Sequence, residues 1–207
     1  MSKGFTTDTL REALGCISEK LEASADELNM LDAQLGDGDL GVSLVRGARA
    51  VAAEMPTLPE DVGMALLKCA QAFTRLSGST YGTLLATGLM NAAKATKGKT
   101  EVAWTEVSPL LRNAMQAMAQ RGGGQLGDKT VLDALDAVQR ATKGLDDPAA
   151  LVAAADQAVD ECLERFRDKP ARQGRARIFG DQSVGKDDPG MVAFKHMVEA
   201  LKGVGSR

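Results

Sequence analysis

Apolar residues recur at spacings of three and four along most of the chain, as in amphipathic helices. In the first such segment, Leu10, Leu14 and Leu21 fall on one helical face. No segment shows the strict alternation of apolar and polar residues that is typical of a strand. Pro59 is expected in the first turn of the third helix. Residues 98–103 are expected to form a polar linker. The pattern predicts eight helices, at residues 9–30, 42–55, 59–75, 81–97, 105–120, 128–143, 148–167 and 189–201.

Glycine and aspartate cluster in four loops, at residues 32–43, 77–83, 121–130 and 174–190. Each of these loops joins an odd-numbered predicted helix to the next one. In an up-and-down arrangement, alternate loops lie at the same end. The sequence therefore predicts an all-α fold, an antiparallel eight-helix bundle or barrel, with one site formed by loops at one end. The chain of residues 1–207 is expected to form a single domain.

The composition narrows the possible partners and the compartment. The 207 residues are 44% hydrophobic but only 3% aromatic, so the core must consist of Ala, Leu, Val and Met. A net charge of -3 provides no basic surface for nucleic acid or for an anionic membrane. The isolated cysteines Cys16, Cys69 and Cys162 are expected to be buried thiols, which favours the cytoplasm.

Three carboxylates, those of Asp32, Asp37 and Asp39, stand within eight residues of one another. Gly36 and Gly38 allow the chain to fold so that they converge, and converging carboxylates repel unless a cation neutralises them. Hard oxygen ligands suit Mg2+ or Ca2+. The alternative is a solvated Asp-Gly turn that caps the second helix, but the other glycine-rich loops at the same end favour a metal site.

The later loops suggest a place for an anion. A glycine-rich segment, residues 122–130, leads into the sixth helix, where free backbone N–H groups could face a phosphate, unless Asp128 simply caps that helix. Arg175 and Arg177 could stabilise a transferring phosphoryl group, or could belong to a solvated basic loop. The only histidine, His196, falls inside the last helix and is interpreted as structural.

Four motifs in register resemble the nucleotide-binding L subunit, the Dak2-type domain, of dihydroxyacetone kinases. The first runs from Leu31-Asp32 to Gly36-Asp37-Gly38-Asp39-Leu40-Gly41, and the second is Gly127-Asp128-Lys129-Thr130-Val131-Leu132-Asp133. Gly174-Arg175-Ala176 and Asp188-Pro189-Gly190 follow. The resemblance covers nearly the whole chain.

This resemblance implies an antiparallel barrel of eight helices that holds ADP or ATP and two Mg2+ ions at one end. Asp32, Asp37 and Asp39 would bind the metal ions, and Arg175 would be catalytic. The implied partner is a K subunit that carries a covalently bound ketose, with a phosphotransferase-system phosphocarrier protein and a homodimer as further candidates. The implied nucleotide contacts are Leu40, Gly41, Val42, Ser43, Leu76, Ser77, Gly122, Val131, Arg175, Asp187, Asp188 and Pro189.

Three departures from the family pattern bear on specificity, and one of them is that residues 77–82 lack the family's usual Gly-Pro or Gly-Ala pattern. Leu40 stands where a polar residue, often His, usually follows the last metal Asp, and Lys186-Asp187 replaces a commoner His-Gln pair. The phosphoryl source, free ATP or a phosphotransferase protein, and the ketose, a triose or a tetrose, therefore stay open. So does a second class of function, a nucleotide-loaded regulatory module that docks on a transcription factor or another partner. The Dak2-like part of a fatty-acid kinase is a third.

Overall fold

A computed structural model of the chain describes residues 4–76 and 78–205, without the side chain of Leu76. Nine α-helices and two short strands occur in this part of the chain. In order they are β1 (Gly4–Thr6), α1 (Thr7–Ala23), α2 (Ala25–Leu35), α3 (Leu40–Glu54), α4 (Val62–Leu76), α5 (Thr80–Thr96), β2 (Glu101–Ala103), α6 (Val107–Gly122), α7 (Val131–Ala141), α8 (Pro148–Arg167) and α9 (Pro189–Ala200).

The helices pack in a closed ring. From α3 to α9 each helix contacts the next, α9 contacts α1, and α1 contacts α3. With α1 and α2 counted as one stave, this is the predicted eight-helix barrel, and the all-α fold is confirmed. Leu21, Leu44, Val159 and Met191 are at most 1% exposed in the shared core. Short loops between antiparallel neighbours bring alternate connections to the same end.

The first predicted helix is in fact two helices that meet at Ser24. The Ser24 N–H still donates to the Lys20 carbonyl at 3.0 Å, but its backbone has left the helical region, with φ -101° and ψ 4°. Leu21 and Leu28, one on each side, are both buried, so the apolar spacing continues across the bend and conceals it. Serine competes for backbone hydrogen bonds and is common at such junctions.

Two further expectations were wrong at the opposite end of the barrel. Residues 101–103 of the expected polar linker form β2, which pairs antiparallel with β1 and places Phe5 opposite Val102, both buried. Helix α4 begins at Val62 rather than near Pro59, because Asp61 accepts the Met64 N–H at 3.0 Å. Three-residue strands are too short for a periodic pattern to reveal.

None of the helices in residues 4–76 and 78–205 combines the length and the apolar character needed to cross a bilayer.

Candidate functional site

The three aspartates converge where α2 ends and α3 begins. Asp32 lies in the last turn of α2, Asp37 in the connecting loop, and Asp39 immediately before α3. One carboxylate oxygen from each lies within 4.8 Å of the other two. The Asp39 N–H also donates to Asp32 Oδ2 at 3.0 Å, which ties the two ends of the cluster together. The sequence prediction that these carboxylates would gather is therefore met by the geometry.

Glycines make this tight loop possible. Gly38 has φ +76°, in the left-handed region that side chains disfavour. At Gly36 a Cβ would lie 2.4 Å from Asp32 Oδ1, so any side chain there would push against the cluster. Both glycines are thus required by the approach of the carboxylates.

An arginine from a distant loop completes the cluster. Arg175, in the 3₁₀ segment Arg175–Ser183 between α8 and α9, forms an ion pair with Asp37. Hydrogen bonding to Arg175 lowers the pKa of Asp37, whereas burial, with the nearby Asp37 charge, raises the pKa of Asp32. The charged form of Asp32 is therefore disfavoured, whereas the charge of Asp37 is balanced by the Arg175 guanidinium.

The first turn of α3 carries four of the predicted nucleotide-binding residues. Gly41 packs directly on the backbone of α2, and the Val42 N–H donates to Asn29 Oδ1 at 3.2 Å. Ser43 is half-buried, and its N–H donates to the Asp39 carbonyl at 2.9 Å. The Leu40 residue is 7% exposed, and its side chain lies in the main core.

The glycine-rich loop before α7 differs from the sequence prediction. Helix α7 begins at Val131, which is buried, and not at residue 128 or 129. The Asp133 carboxylate accepts the N–H groups of Gly127 at 2.6 Å and Thr130 at 2.9 Å, and Asp128 accepts that of Gln125 at 2.7 Å. Because these three N–H groups already bond to carboxylates of the loop and of the first turn of α7, they are not the free anion donors that we expected.

The connection from α8 to the start of α9 contains three further predicted nucleotide-binding residues, Asp187, Asp188 and Pro189. Asp187 accepts two hydrogen bonds from Arg167, at 2.9 and 3.0 Å, and Asp188 caps α9 by accepting the Met191 N–H at 2.8 Å. Burial raises the pKa of Asp188 to about 7. Pro189 is the buried first residue of α9.

Hydrogen bonds join all four loops at this end. Tyr81 donates to the Gly190 carbonyl at 2.9 Å, and Gln173 Nε2 donates to the Gly122 carbonyl at 2.9 Å. Together with the ion pair between Arg175 and Asp37, these contacts confirm that the glycine- and aspartate-rich loops share one end of the barrel.

Some of the predicted site lies outside the described residues: Ser77 entirely and Leu76 in its side chain. His196 is buried in α9, with Nε2 at 3.1 Å from Glu27 and Nδ1 at 3.4 Å from Glu199, which fits its structural interpretation.

Sequence reasoning missed Lys129, whose side chain is buried beneath the site. A basic residue in a glycine-rich loop suggests contact with solvent or phosphate, so the sequence around Lys129 gives no sign that its side chain is buried.

The fold and the cluster define a class of protein: an all-helical barrel that presents three carboxylates and an arginine at one end, suited to a divalent cation and a polyphosphate. The sequence profile of the DAK2 domain matches residues 34–203. The chain therefore belongs to the DAK2 domain family, within which it is similar to the DhaL-type subunits of dihydroxyacetone kinases.

Two relatives match this chain over nearly their whole length. The ADP-binding subunit DhaL of the PEP-dependent dihydroxyacetone kinase of Escherichia coli K12 is 29% identical over 183 residues, 86% of this chain and 87% of that subunit. The corresponding subunit of kinase 2 of Listeria innocua is 31% identical over 196 residues, 92% of this chain and 89% of that subunit.

Longer proteins are also similar. L-erythrulose 1-kinase of Mycolicibacterium smegmatis is 34% identical over 185 residues, which are 84% of this chain but 32% of that enzyme. The crystal structure of the dihydroxyacetone kinase from C. freundii in complex with AMP-PNP and Mg2+ has a TM-score of 0.75 at 22% identity, covering 97% of this chain and 34% of that chain. The fold is thus shared, and the relatives' names confirm the expected enzyme class, a kinase.

Proposed function

We propose that this chain is the Mg-nucleotide-binding subunit of a dihydroxyacetone-type kinase. It would transfer a phosphoryl group from its nucleotide to a small ketose held on a separate K subunit. The observation that carries this proposal is the convergence of Asp32, Asp37 and Asp39 beside Arg175 at one end of the barrel. The DhaL-type relatives, whose names describe an ADP-binding subunit of a dihydroxyacetone kinase, support it.

The aspartates are suited to hold Mg2+, and two ions are proposed. Their oxygens lie within 4.8 Å of one another, they are hard ligands, and Asp37 and Asp39 are exposed to solvent and hence to an arriving ion. When bound, Mg2+ would neutralise charge on the nucleotide phosphates. Asp32 is held in place by the Asp39 N–H, so the cluster is organised by the chain itself.

Arg175 is the proposed catalytic residue. Its guanidinium already reaches the carboxylate cluster, so it is within range of a phosphate held there, and its planar donors match phosphate oxygens. The backbone around the cluster would supply the rest of the nucleotide site. The proposed contacts are Leu40, Gly41, Val42, Ser43, Leu76, Ser77, Gly122, Val131, Asp187, Asp188 and Pro189.

The chain's inventory of nucleophiles supports a division of labour with a partner. His196, the only histidine, is buried among acids in α9, so a covalent histidine intermediate on this chain is not proposed. The K subunit would supply the bound ketose, and ATP or a phosphotransferase-system protein would supply the phosphoryl group. A ketose of three or four carbons is suggested by the dihydroxyacetone and erythrulose kinases among the relatives.

The same proposal includes a cytoplasmic location, in line with three buried free cysteines. It treats residues 1–207 as one domain, because the main core draws on helices from α1 to α9. A homodimer is an additional assembly to be tested by mass measurement in solution.

The test is Asp37→Asn, with Asp146→Asn in an exposed loop at the opposite end as the control. Asp37→Asn should weaken Mg-dependent ADP binding by at least about tenfold, about 1.4 kcal/mol, without unfolding the barrel. Titration calorimetry of ADP with and without Mg2+ measures this. Retention of nucleotide with unchanged Mg2+ dependence would refute the metal assignment.

A coupled phosphorylation assay with the purified K partner separates the kinase from a regulatory module. Ketose phosphorylation that depends on this chain is the expected result, and comparison of ATP with a phosphotransferase donor identifies the phosphoryl source. Nucleotide binding without any transfer would favour the regulatory alternative.

A further inference from the structure

Lys129 is a buried cation that the metal and nucleotide site does not use. Its residue is 1% exposed, and its Nζ donates to the carbonyls of Arg167 at 3.0 Å, Lys169 at 2.8 Å and Ser183 at 2.9 Å. All three protons of the ammonium therefore have acceptors. The side chain turns away from the exposed loop in which it stands and runs under the α8–α9 connection.

The three carbonyls come from the two ends of one loop. Arg167 and Lys169 stand where the loop leaves α8, and Ser183 stands at the end of the 3₁₀ segment that begins at Arg175. The Gly185 N–H also donates to the Arg167 carbonyl, at 2.9 Å, so the loop closes on itself. Lys129 is thus the side chain that holds both ends of the loop that carries Arg175.

Neighbouring contacts strengthen this anchor. The Arg172 N–H donates to the carbonyl of Asp128, the residue before Lys129, at 3.0 Å. Ser183 Oγ accepts the Ala171 N–H at 2.7 Å, which joins the part of the loop that follows α8 to the part that leads into α9. The loop that holds Arg175 is consequently fixed to the segment before α7 through two consecutive residues, Asp128 and Lys129, and is closed by its own contact between Ala171 and Ser183.

General stability is a poor explanation for a lysine at this position. Burial lowers the pKa of Lys129, which means that the protein disfavours its charged form, although Asp188 and Asp187 oppose this. The backbone of Lys129 is at φ +63°, a left-handed conformation that is costly for a side chain and tends to be retained at functional sites. Convergent carbonyls need a compact donor with three protons, which methionine lacks and which the planar fork of arginine does not match.

We propose that Lys129 is a positioning residue that fixes both ends of the 168–184 loop and so holds Arg175 at the carboxylate cluster. This inference rests on the proposed function for its effect on phosphoryl transfer, but the loop anchor can be tested without it. Small displacements of a charge-stabilising group lower a rate steeply, by up to about 100-fold per ångström. A loop released at both ends would therefore affect turnover more than nucleotide affinity.

The experiment compares Lys129→Met, which keeps the length of the side chain, with Lys129→Gly, which also relieves the left-handed backbone. Lys143→Met, at an exposed position after α7, is the control. Hydrogen exchange on the purified chain should show faster exchange of the 168–184 amides in both Lys129 variants, by at least about tenfold, with α3 to α5 unchanged. Because glycine accepts φ +63° freely, an effect in both variants assigns it to the ammonium.

Kinetics with the K partner supply the second readout. Both variants should lower kcat by at least about tenfold with a smaller change in KM for the nucleotide. Arg175→Ala should lower the wild-type rate strongly but change the Lys129→Met rate by less than about threefold, because the two residues then act as one unit.

Two outcomes would overturn the proposal. One is that the amides of residues 168–184 exchange in Lys129→Gly at the wild-type rate. The other is that the double variant loses kcat by the product of the losses in Arg175→Ala and Lys129→Met. If the wild type does not bind Mg-ADP, the proposed function fails, whereas the exchange result still decides whether Lys129 anchors the loop.

Discussion

The close approach of α3 to α2 at Gly41 offers a sharp test of how the carboxylate cluster is built. A Cβ at this position would lie 2.1 Å from the Ala25 carbonyl oxygen and 2.9 Å from Asn29 Oδ1. A carbon–oxygen contact normally needs about 3.3 Å, so Gly41→Ala forces the start of α3 to move by about 1 Å. Asp39 immediately precedes this turn, so the carboxylate cluster moves with it.

The expected cost follows from three terms. Overpacking against a backbone carbonyl costs about 1–3 kcal/mol. Loss of the hydrogen bond from Val42 to Asn29 adds about 1 kcal/mol, and the higher helix propensity of alanine returns about 0.5–1 kcal/mol. Gly41→Ala should therefore lower the free energy of unfolding by about 1–3.5 kcal/mol and weaken Mg-dependent ADP binding as well.

Gly15→Ala is the matched control, because Gly15 lies inside α1 and a Cβ there meets nothing within 4 Å. It should raise the free energy of unfolding by about 0.5–1 kcal/mol. Urea denaturation followed by circular dichroism measures both variants, and calorimetry measures ADP binding. If Gly41→Ala is as stable as Gly15→Ala and binds Mg-ADP like the wild type, the packing argument is wrong.

Two further changes probe the loops of the same end. Because burial raises the pKa of Asp188 to about 7, above about 3.9 in the unfolded chain, the folded state binds the extra proton and wild-type stability should fall between about pH 4 and 7. Asp188→Asn should abolish that part of the slope in urea titrations across this range, and an identical slope would contradict it. Asp133→Ala removes the acceptor of the Gly127 and Thr130 N–H groups and should cost about 2–4 kcal/mol. Asp136→Ala, which breaks an ion pair between a half-buried carboxylate and the exposed Arg140, should cost less than about 1 kcal/mol. Equal melting temperatures for these two variants would refute the capping account.

The helix ring and the position of the glycine- and aspartate-rich loops at one end could be predicted because both follow from short-range patterns. Apolar spacing identified every stave, and the alternation of loops placed the glycine- and aspartate-rich segments at one end without any knowledge of contacts. The gathering of Asp32, Asp37 and Asp39 also follows from local flexibility at Gly36 and Gly38. None of these inferences requires knowing which distant residues meet.

Of the features that were missed, the strand pairing and the burial of Lys129 depend on contacts between residues far apart in the chain. The pairing of β1 with β2 joins residues about a hundred positions apart. The capping box at α7 was visible as Thr130 and Asp133, yet the helix start was placed too early, because the preceding loop looked equally suited to begin a helix. The burial of Lys129 depends on carbonyls from another loop, so nothing local to its own loop indicates it.

The distribution of ionisable groups supplies an independent argument that this end of the barrel carries the function. Among the described carboxyl and amino side chains, four have a pKa shifted against ionisation, each with burial as the main cause: Asp32, Lys129, Asp133 and Asp188. All four lie in or beside the loops that surround the carboxylate cluster. Such groups lower stability, and proteins concentrate them where a geometry has to be fixed for binding or chemistry. The opposite end, where β1 meets β2, is built instead on the apolar pair of Phe5 and Val102.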